Sequence, residues 1–294
     1  RNDYTLTGVS GSLYKFMTQE EKVSKIQEII KLKIFNKLEP RHTSSGHRYA
    51  FLESGHQQDS VTQKLGILHK PHLAKWQIRV AIEFLQVEDR WQRLNTPQYK
   101  DELMTGAMMA PFDVRDDAGN VGGQAHQAIE RFLNQAIADE KLPEDITKFA
   151  IENCDPRAIA SMRAAEAYFR KHNVIPIAVE ILVGDARYSA GTLDCIALVD
   201  GVLTLIDHKT SNGVDQISYS AQVSAYKYFF EKMTSLTIKQ CKILHLSKDS
   251  DKFTVYKVNY LPKAYKAFKQ ICGVYDWIYS RGDKIEKDIK RLKI

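Results

Sequence analysis

The sequence contains no run of about twenty consecutive apolar residues, so nothing in it reads as a membrane-spanning helix. It also lacks an opening in which basic residues lead into an apolar stretch, the pattern of an export signal. Cysteine is scarce: Cys154, Cys195, Cys241 and Cys272 lie far apart and form no C-x-x-C pair. That spacing argues against a disulfide framework, a zinc ribbon and an iron–sulfur cluster. It suits reduced interior thiols of an intracellular, cytoplasmic protein. The first residue is Arg1 rather than Met, from which we expect a trimmed start, and a mitochondrial location stays open. Internal repeats and low-complexity segments are absent as well.

What is present is ordinary in bulk. The 294 residues are 44% hydrophobic and 27% charged, too apolar for wholesale disorder. Their number is about twice the ~150-residue prior for one domain, which fits one large or two unequal domains. The net charge of +6 is unremarkable until it is divided along the chain. Residues 1–100 carry +6, residues 101–250 carry −6 and residues 251–294 carry +6. A negative middle is held between positive ends.

Residues 1–117 read as a mostly helical region and 118–294 as the core of the fold. Thr18-Gln19-Glu20-Glu21 has capping-box spacing and predicts a helix carrying Val23, Ile26, Ile30 and Leu38. His, Ser, Gly and Pro punctuate 39–59, which predicts loop with a short strand at Tyr49-Ala50-Phe51-Leu52. Ser60-Val61-Thr62-Gln63 caps a short helix that Lys70-Pro71 interrupts. A longer helix follows through Trp76, Val80 and Phe84, and another over 98–109. From 118 the rhythm changes. A helix near 118–137 places Val121, Ala125, Ile129 and Phe132 on one side, and Asp155-Pro156 opens another through Ile159, Met162 and Phe169. Strand-like runs follow at 175–183, 187–199 and 202–208, then a helix at 218–232. Strands near 240–247 and 253–259 and a terminal helix from Pro262 complete the chain. That order is an α/β fold, a mixed central sheet flanked by helices.

The most informative stretch runs from Gly191 to Lys209. Asp200-Gly201 between two β-rich runs is a strong hairpin signal, because both turn positions want positive φ. Counting outward from that turn, Val199 faces Val202, Ala197 faces Thr204 and Asp194 faces Asp207. Opposed residues have Cβ atoms about 4.5–5.5 Å apart. Two carboxylates so placed repel each other among apolar neighbours, and a positive charge between them resolves the conflict. A hard divalent cation such as Mg²⁺ takes one or two carboxylates together with phosphate and water. Strand alternation puts Lys209 on the face of Asp207 and points His208 away. An ammonium there can orient an attacking water or stabilise charge on a phosphoryl oxygen. The plainer alternative is an exposed hairpin end with a surface Asp–Lys pair.

Other candidates stand beside equally plain readings. His126 follows Gly122-Gly123 and precedes Glu130 by one turn. The glycines suggest close approach to another backbone, and His126 becomes a metal ligand only in company with the hairpin. Glu180 ends an apolar run, so it either faces solvent or joins the acidic site. Gln222 and Tyr226, four apart, share a helix face, as rim residues or as contacts to a nucleotide. His69 and His72 flank Pro71 with no Cys nearby and read as loop surface. Lys284, Lys287, Lys290, Arg291 and Lys293 read as a solvated helix face or as phosphate contacts.

Taken in order, His126, Glu180, Gly191-Thr192-Leu193-Asp194, Asp207-His208-Lys209-Thr210-Ser211 and Gln222-x-x-x-Tyr226 resemble the PD-(D/E)XK nuclease superfamily. Within it they are most similar to the RecB-type exonuclease branch, and there to the mitochondrial genome maintenance exonucleases and their phage-encoded relatives. The resemblance covers roughly 118–260. It implies a restriction-endonuclease-like core and Mg²⁺ or Mn²⁺ bound by His126, Asp194, Asp207 and the backbone carbonyl of His208. Lys209 would be the catalytic lysine, Gln222 and Tyr226 the motif beside the active site, and Glu180 an acidic position shared by some members. The iron–sulfur members of that branch carry clustered C-terminal cysteines, which this chain lacks.

The expectation is a metal-dependent DNA exonuclease acting on single strands or free ends, in replication, recombination or repair. Its helical first 117 residues would form a cap that guides the strand. Two alternatives remain open. One is a structure-selective endonuclease of the same fold, and the other a catalytically idle DNA-binding recombination partner.

Overall fold

A computed structural model describes residues 17–43, 46–68, 70–87 and 90–288. The first helix, α1 (Gln19–Lys33), starts where the capping spacing predicts. The Thr18 hydroxyl accepts from the Glu21 backbone N–H, and the Glu21 carboxylate accepts from the Thr18 N–H. It buries Ile26 and Ile30. Leu38 does not belong to it. The helix ends at Lys33, and Leu38 opens a three-stranded antiparallel sheet of β1 (Leu38–Thr43), β2 (Gly46–Phe51) and β3 (Gln57–Asp59). The stretch read as loop is thus mostly strand. Its order is non-local: Leu38 and Tyr49 pack with Ala190, and the Tyr49 and Thr192 hydroxyls meet at 3.2 Å.

The short helix α2 (Val61–Leu65) follows its Ser60 cap, and α3 (Pro71–Gln86) begins at the proline that separates the two. Exposed His72 sits in its first turn, while His69 lies outside the described residues. After the single turn α4 (Arg90–Arg93), one helix of 42 residues, α5 (Pro97–Ala138), replaces the two expected over 98–109 and 118–137. An interior proline usually breaks a helix. Here Pro111 is buried, and α3 packs along this segment so closely that a Cβ at Gly106 would come within 2.5 Å of Phe84 Cζ. Tertiary packing overrides the local break. The position 117/118 therefore falls inside a continuous helix.

Beyond a 3₁₀ turn at Ile146–Phe149, α6 (Pro156–Lys171) is capped by Asp155, whose carboxylate accepts from the Arg157 N–H at 2.8 Å. The central sheet then forms from β4 (Ile175–Asp185), β5 (Ser189–Val199), β6 (Val202–Lys209), β7 (Gln240–Leu246) and β8 (Phe253–Lys257), in that spatial order. All neighbours are antiparallel except β6 and β7, whose parallel pairing is made possible by the crossover helix α7 (Gln216–Thr234). The last helix is α8 (Leu261–Asp288). Lys284 and Lys287 fall within it, and Lys290, Arg291 and Lys293 lie outside the described residues.

Both faces of β5 are buried, which explains its nearly continuous apolar run. Ile196 and Leu198 join a core with Ile26, Phe229 and Phe268, on the side of α7 and α8. Cys195, Ala197 and Val199 join a second core with Phe132, Met162 and Phe169, on the side of α5 and α6. Lys64 is fully buried between the two terminal regions. Its ammonium donates to the Gln58 side-chain oxygen at 3.0 Å and to Asp276 of α8 at 2.8 Å. The fold is α/β, a mixed five-stranded sheet flanked by helices. Among the described residues, no helix is long and apolar enough to cross a membrane.

Candidate metal centre

The β5–β6 hairpin has the expected register. Val199 pairs with Val202, Ala197 with Thr204 and Cys195 with Ile206. Asp200 and Gly201 both take positive φ, at 49° and 79°, as a two-residue turn of this kind requires. The paired ladder ends at Cys195–Ile206, one step short of Asp194 and Asp207, and there the His208 backbone N–H goes to the Asp194 side chain. On the other side, the pairs Val179–Cys195 and Ile181–Leu193 bracket Glu180 and Asp194. Glu180 and Asp194 therefore fall between the same two pairs of β4 and β5.

Glu180 departs from its strand. Its φ is +51°, a left-handed conformation that non-glycine residues rarely adopt inside a strand. Strain of this kind collects at functional sites. No feature of the sequence announces it.

Asp207 is fully buried. Its Oδ2 meets the Lys209 ammonium at 2.7 Å, and its Oδ1 accepts no hydrogen bond among the described residues. The Lys209 ammonium also lies 5.0 Å from the centre of the Tyr219 ring, whose hydroxyl meets the Ser211 hydroxyl at 3.1 Å. His208 points to the opposite face, as alternation predicts. There its ring packs edge-on against His126 at 5.9 Å and Phe169 at 6.0 Å. Asp194 touches both faces. Its Oδ2 accepts from the His208 backbone N–H at 2.7 Å and lies 3.7 Å from His208 Nδ1.

One donor atom each from His126, Asp194 and His208 lies within 4.8 Å of the others, a cluster that could hold a metal ion. The family resemblance assigns His208 through its backbone carbonyl. The structure brings its imidazole into the cluster, and Asp207 is not part of that set.

Protonation favours metal binding. Burial lowers His126, against the pull of Asp194, and pushes His208 down to about 4, which eases loss of the proton that would block a metal at either imidazole. Burial alone would raise Asp194. The neighbouring His126, Lys209 and His208, with the hydrogen bond from the His208 N–H, outweigh it and keep the carboxylate charged. Asp207 moves the other way, raised by burial against the opposing pull of Lys209. For Lys209, burial works to lower its pKa, yet the Asp207 and Asp194 charges together hold it above its ordinary value. Glu180 is pushed up to about 8, by burial first and then by the charges of Asp194, Glu130 and Asp207.

The donor chemistry fits a divalent ion. Neutral imidazoles and a charged carboxylate suit first-row divalent metals. The unpaired buried oxygen of Asp207 and the unpaired Nε2 of His208 are groups that an ion would satisfy.

Gln222 and Tyr226 are both buried, not placed on an open rim. The Gln222 amide donates to the Tyr226 hydroxyl at 3.3 Å, and the Tyr226 ring lies where a Cβ at Gly191 would be, 2.8 Å from Cε1. The close neighbour of Gly122 is a side chain and not the expected backbone: Thr210 Oγ1 lies 2.7 Å from its would-be Cβ, whereas nothing lies within 4 Å of one at Gly123. Tyr219 was not singled out from the sequence. Its signal was available, since 219, 222 and 226 follow helical spacing on one face. Glu130 likewise joins through its charge on Glu180, one turn beyond His126.

A scan against protein-family models matches none to this chain, and a search of curated proteins returns no match. What the site can do follows from its geometry.

Proposed function

We propose that the chain is a metal-dependent DNA exonuclease of the PD-(D/E)XK kind, on a restriction-endonuclease-like core. Its substrate would be single-stranded DNA or a free DNA end, in replication, recombination or repair. One observation carries this reading. The Lys209 ammonium lies 2.7 Å from Asp207, one step beyond the last pair of the hairpin ladder, and His126 and Asp194 bring donor atoms within 4.8 Å of each other.

Mg²⁺ or Mn²⁺ held by His126, Asp194 and Asp207, with His208 as a further donor, would polarise a phosphoryl oxygen and lower the pKa of a water. Lys209 brings a fixed positive charge to the developing phosphoryl oxygens in a site from which water is largely excluded. Glu180 sets a third carboxylate opposite Asp194. Gln222 and Tyr226 are assigned to the strand beside the scissile phosphate, and the helices before residue 118 to guiding it.

The test uses end-labelled linear and circular single-stranded DNA with Mg²⁺, Mn²⁺ or EDTA, for the unsubstituted protein and Lys209→Ala. Release of short products from linear DNA only, lost in EDTA and in the variant, supports the exonuclease. Nicking of circles points to an endonuclease. Binding without cleavage in any divalent ion leaves an idle DNA-binding protein and overturns the enzyme reading.

A further inference from the structure

A groove of about 250 Å³ lies between the start of α7 and the segment joining β8 to α8, on the side of the sheet that carries Asp207 and Lys209. Its walls are Gln216 and Ser220 of α7, Ile243 of β7, and Tyr256, Asn259 and Tyr260. Two connections tie it to the metal centre. Ile243 is the in-register neighbour of Asp207 in the adjacent strand, about 4.8 Å away along the ladder. Ser220 follows Tyr219, whose ring faces the Lys209 ammonium.

The chemistry of the walls is specific. Tyr260 is 74% exposed, an unusual place for a large ring with no apolar cover. Tyr256 is half-buried beside it. Asn259 and Gln216 bring amides, which both donate and accept. The cations here are Lys257, which also lines the groove, and Lys263, whose ammonium sits 5.7 Å from the Tyr260 ring. Among the described residues, no carboxylate lines the groove. An aromatic platform, amides and lysines without acids suit a flat heterocycle attached to an anionic backbone.

We propose that this groove is a nucleoside subsite, which takes the sugar and base next to the phosphate held at Asp194 and Asp207. It rests on the nuclease reading above. The base stacks on Tyr260, Asn259 and Gln216 meet its polar edge, and Lys257 and Lys263 meet the adjoining phosphate. The strand then crosses the first turns of α7 between metal centre and groove.

The experiment measures anisotropy of a short labelled oligothymidylate in EDTA, where cleavage does not intervene. Tyr260 is exposed, so its truncation leaves the fold intact. Tyr260→Ala should weaken binding about tenfold, the scale of one base–aromatic stack. Asn259→Ala should weaken it less. Scanning one abasic nucleotide along the oligomer should find a position that reproduces this loss in the unsubstituted protein and adds nothing in Tyr260→Ala. A loss that no abasic position reproduces would overturn base stacking. Unchanged binding by both variants, with linear DNA still cleaved in Mg²⁺, removes the subsite and leaves the nuclease standing. An unsubstituted protein that binds no oligomer in EDTA but cleaves linear DNA in Mg²⁺ removes the subsite alone, and one that does neither removes both.

Discussion

The Asp194 carboxylate accepts a 2.7 Å hydrogen bond from the backbone N–H of His208, so the strand that carries Asp207 and Lys209 also fixes Asp194. Asp194 is held charged there, while burial works against ionisation of its neighbour Asp207. A cation is the group that would reconcile them.

Lys209 is the counter-charge of Asp207 in the metal-free protein. Removing one member of a buried ion pair typically costs about 3–5 kcal/mol. Lys209→Met should therefore lower stability to urea, and the loss should shrink from pH 8 to pH 5.5, where Asp207 can escape by taking a proton. Adding Asp207→Asn should recover much of the loss. Equal destabilisation at both pH values would contradict the pairing.

Glu180 makes stability fall as pH rises. Its carboxyl titrates near 4.5 ordinarily and at about 8 in the fold. The folded chain thus holds a proton that the unfolded chain has released between those values. The contribution is complete below about 4.5 and is lost as pH climbs through about 8. In EDTA, Tm should decline across this window, and Glu180→Gln should flatten the decline. Mg²⁺ or Mn²⁺ should raise Tm most at the alkaline end, where the carboxylates are free to bind it.

The backbone of Glu180 can be tested apart from its charge. Both Glu180→Gly and Glu180→Ala remove the carboxylate, but only glycine is at ease at φ +51°. The glycine variant should be the more stable by about 1 kcal/mol in chemical denaturation. The opposite order would mean that this position carries no left-handed strain.

Two adjacent glycines of α5 should respond in opposite directions. At Gly123 nothing lies within 4 Å of an added Cβ, so Gly123→Ala should stabilise by up to about 1 kcal/mol through helix propensity. At Gly122 the methyl would meet Thr210 Oγ1 at 2.7 Å, so Gly122→Ala should lose about 1–3 kcal/mol from overpacking. Thr210→Ala should relieve that loss, which thermal melts of the double variant would show.

What the sequence made legible was local. The Thr18 and Asp155 caps and the Asp200-Gly201 turn are decided by a few neighbouring residues, and each forms as expected. The turn also fixes the register as far as Cys195 and Ile206, next to Asp194 and Asp207. What stayed hidden was decided at a distance. Segment 39–59 becomes a sheet because Leu38 and Tyr49 find Ala190. The α5 helix survives Pro111 because α3 packs along it. The His208 imidazole meets His126 only once a helix and a strand are brought together.

The buried ammonium of Lys64 gives the two ends of the chain a common fate. Its anionic contact, Asp276, lies 212 residues away in α8. Deleting that helix would remove both the carboxylate and the Tyr275 ring that sits 5.5 Å from the ammonium. The terminal helix is thus a counter-ion for the amino-terminal half, and the chain closes into a loop of mutual dependence through a single proton-bearing nitrogen.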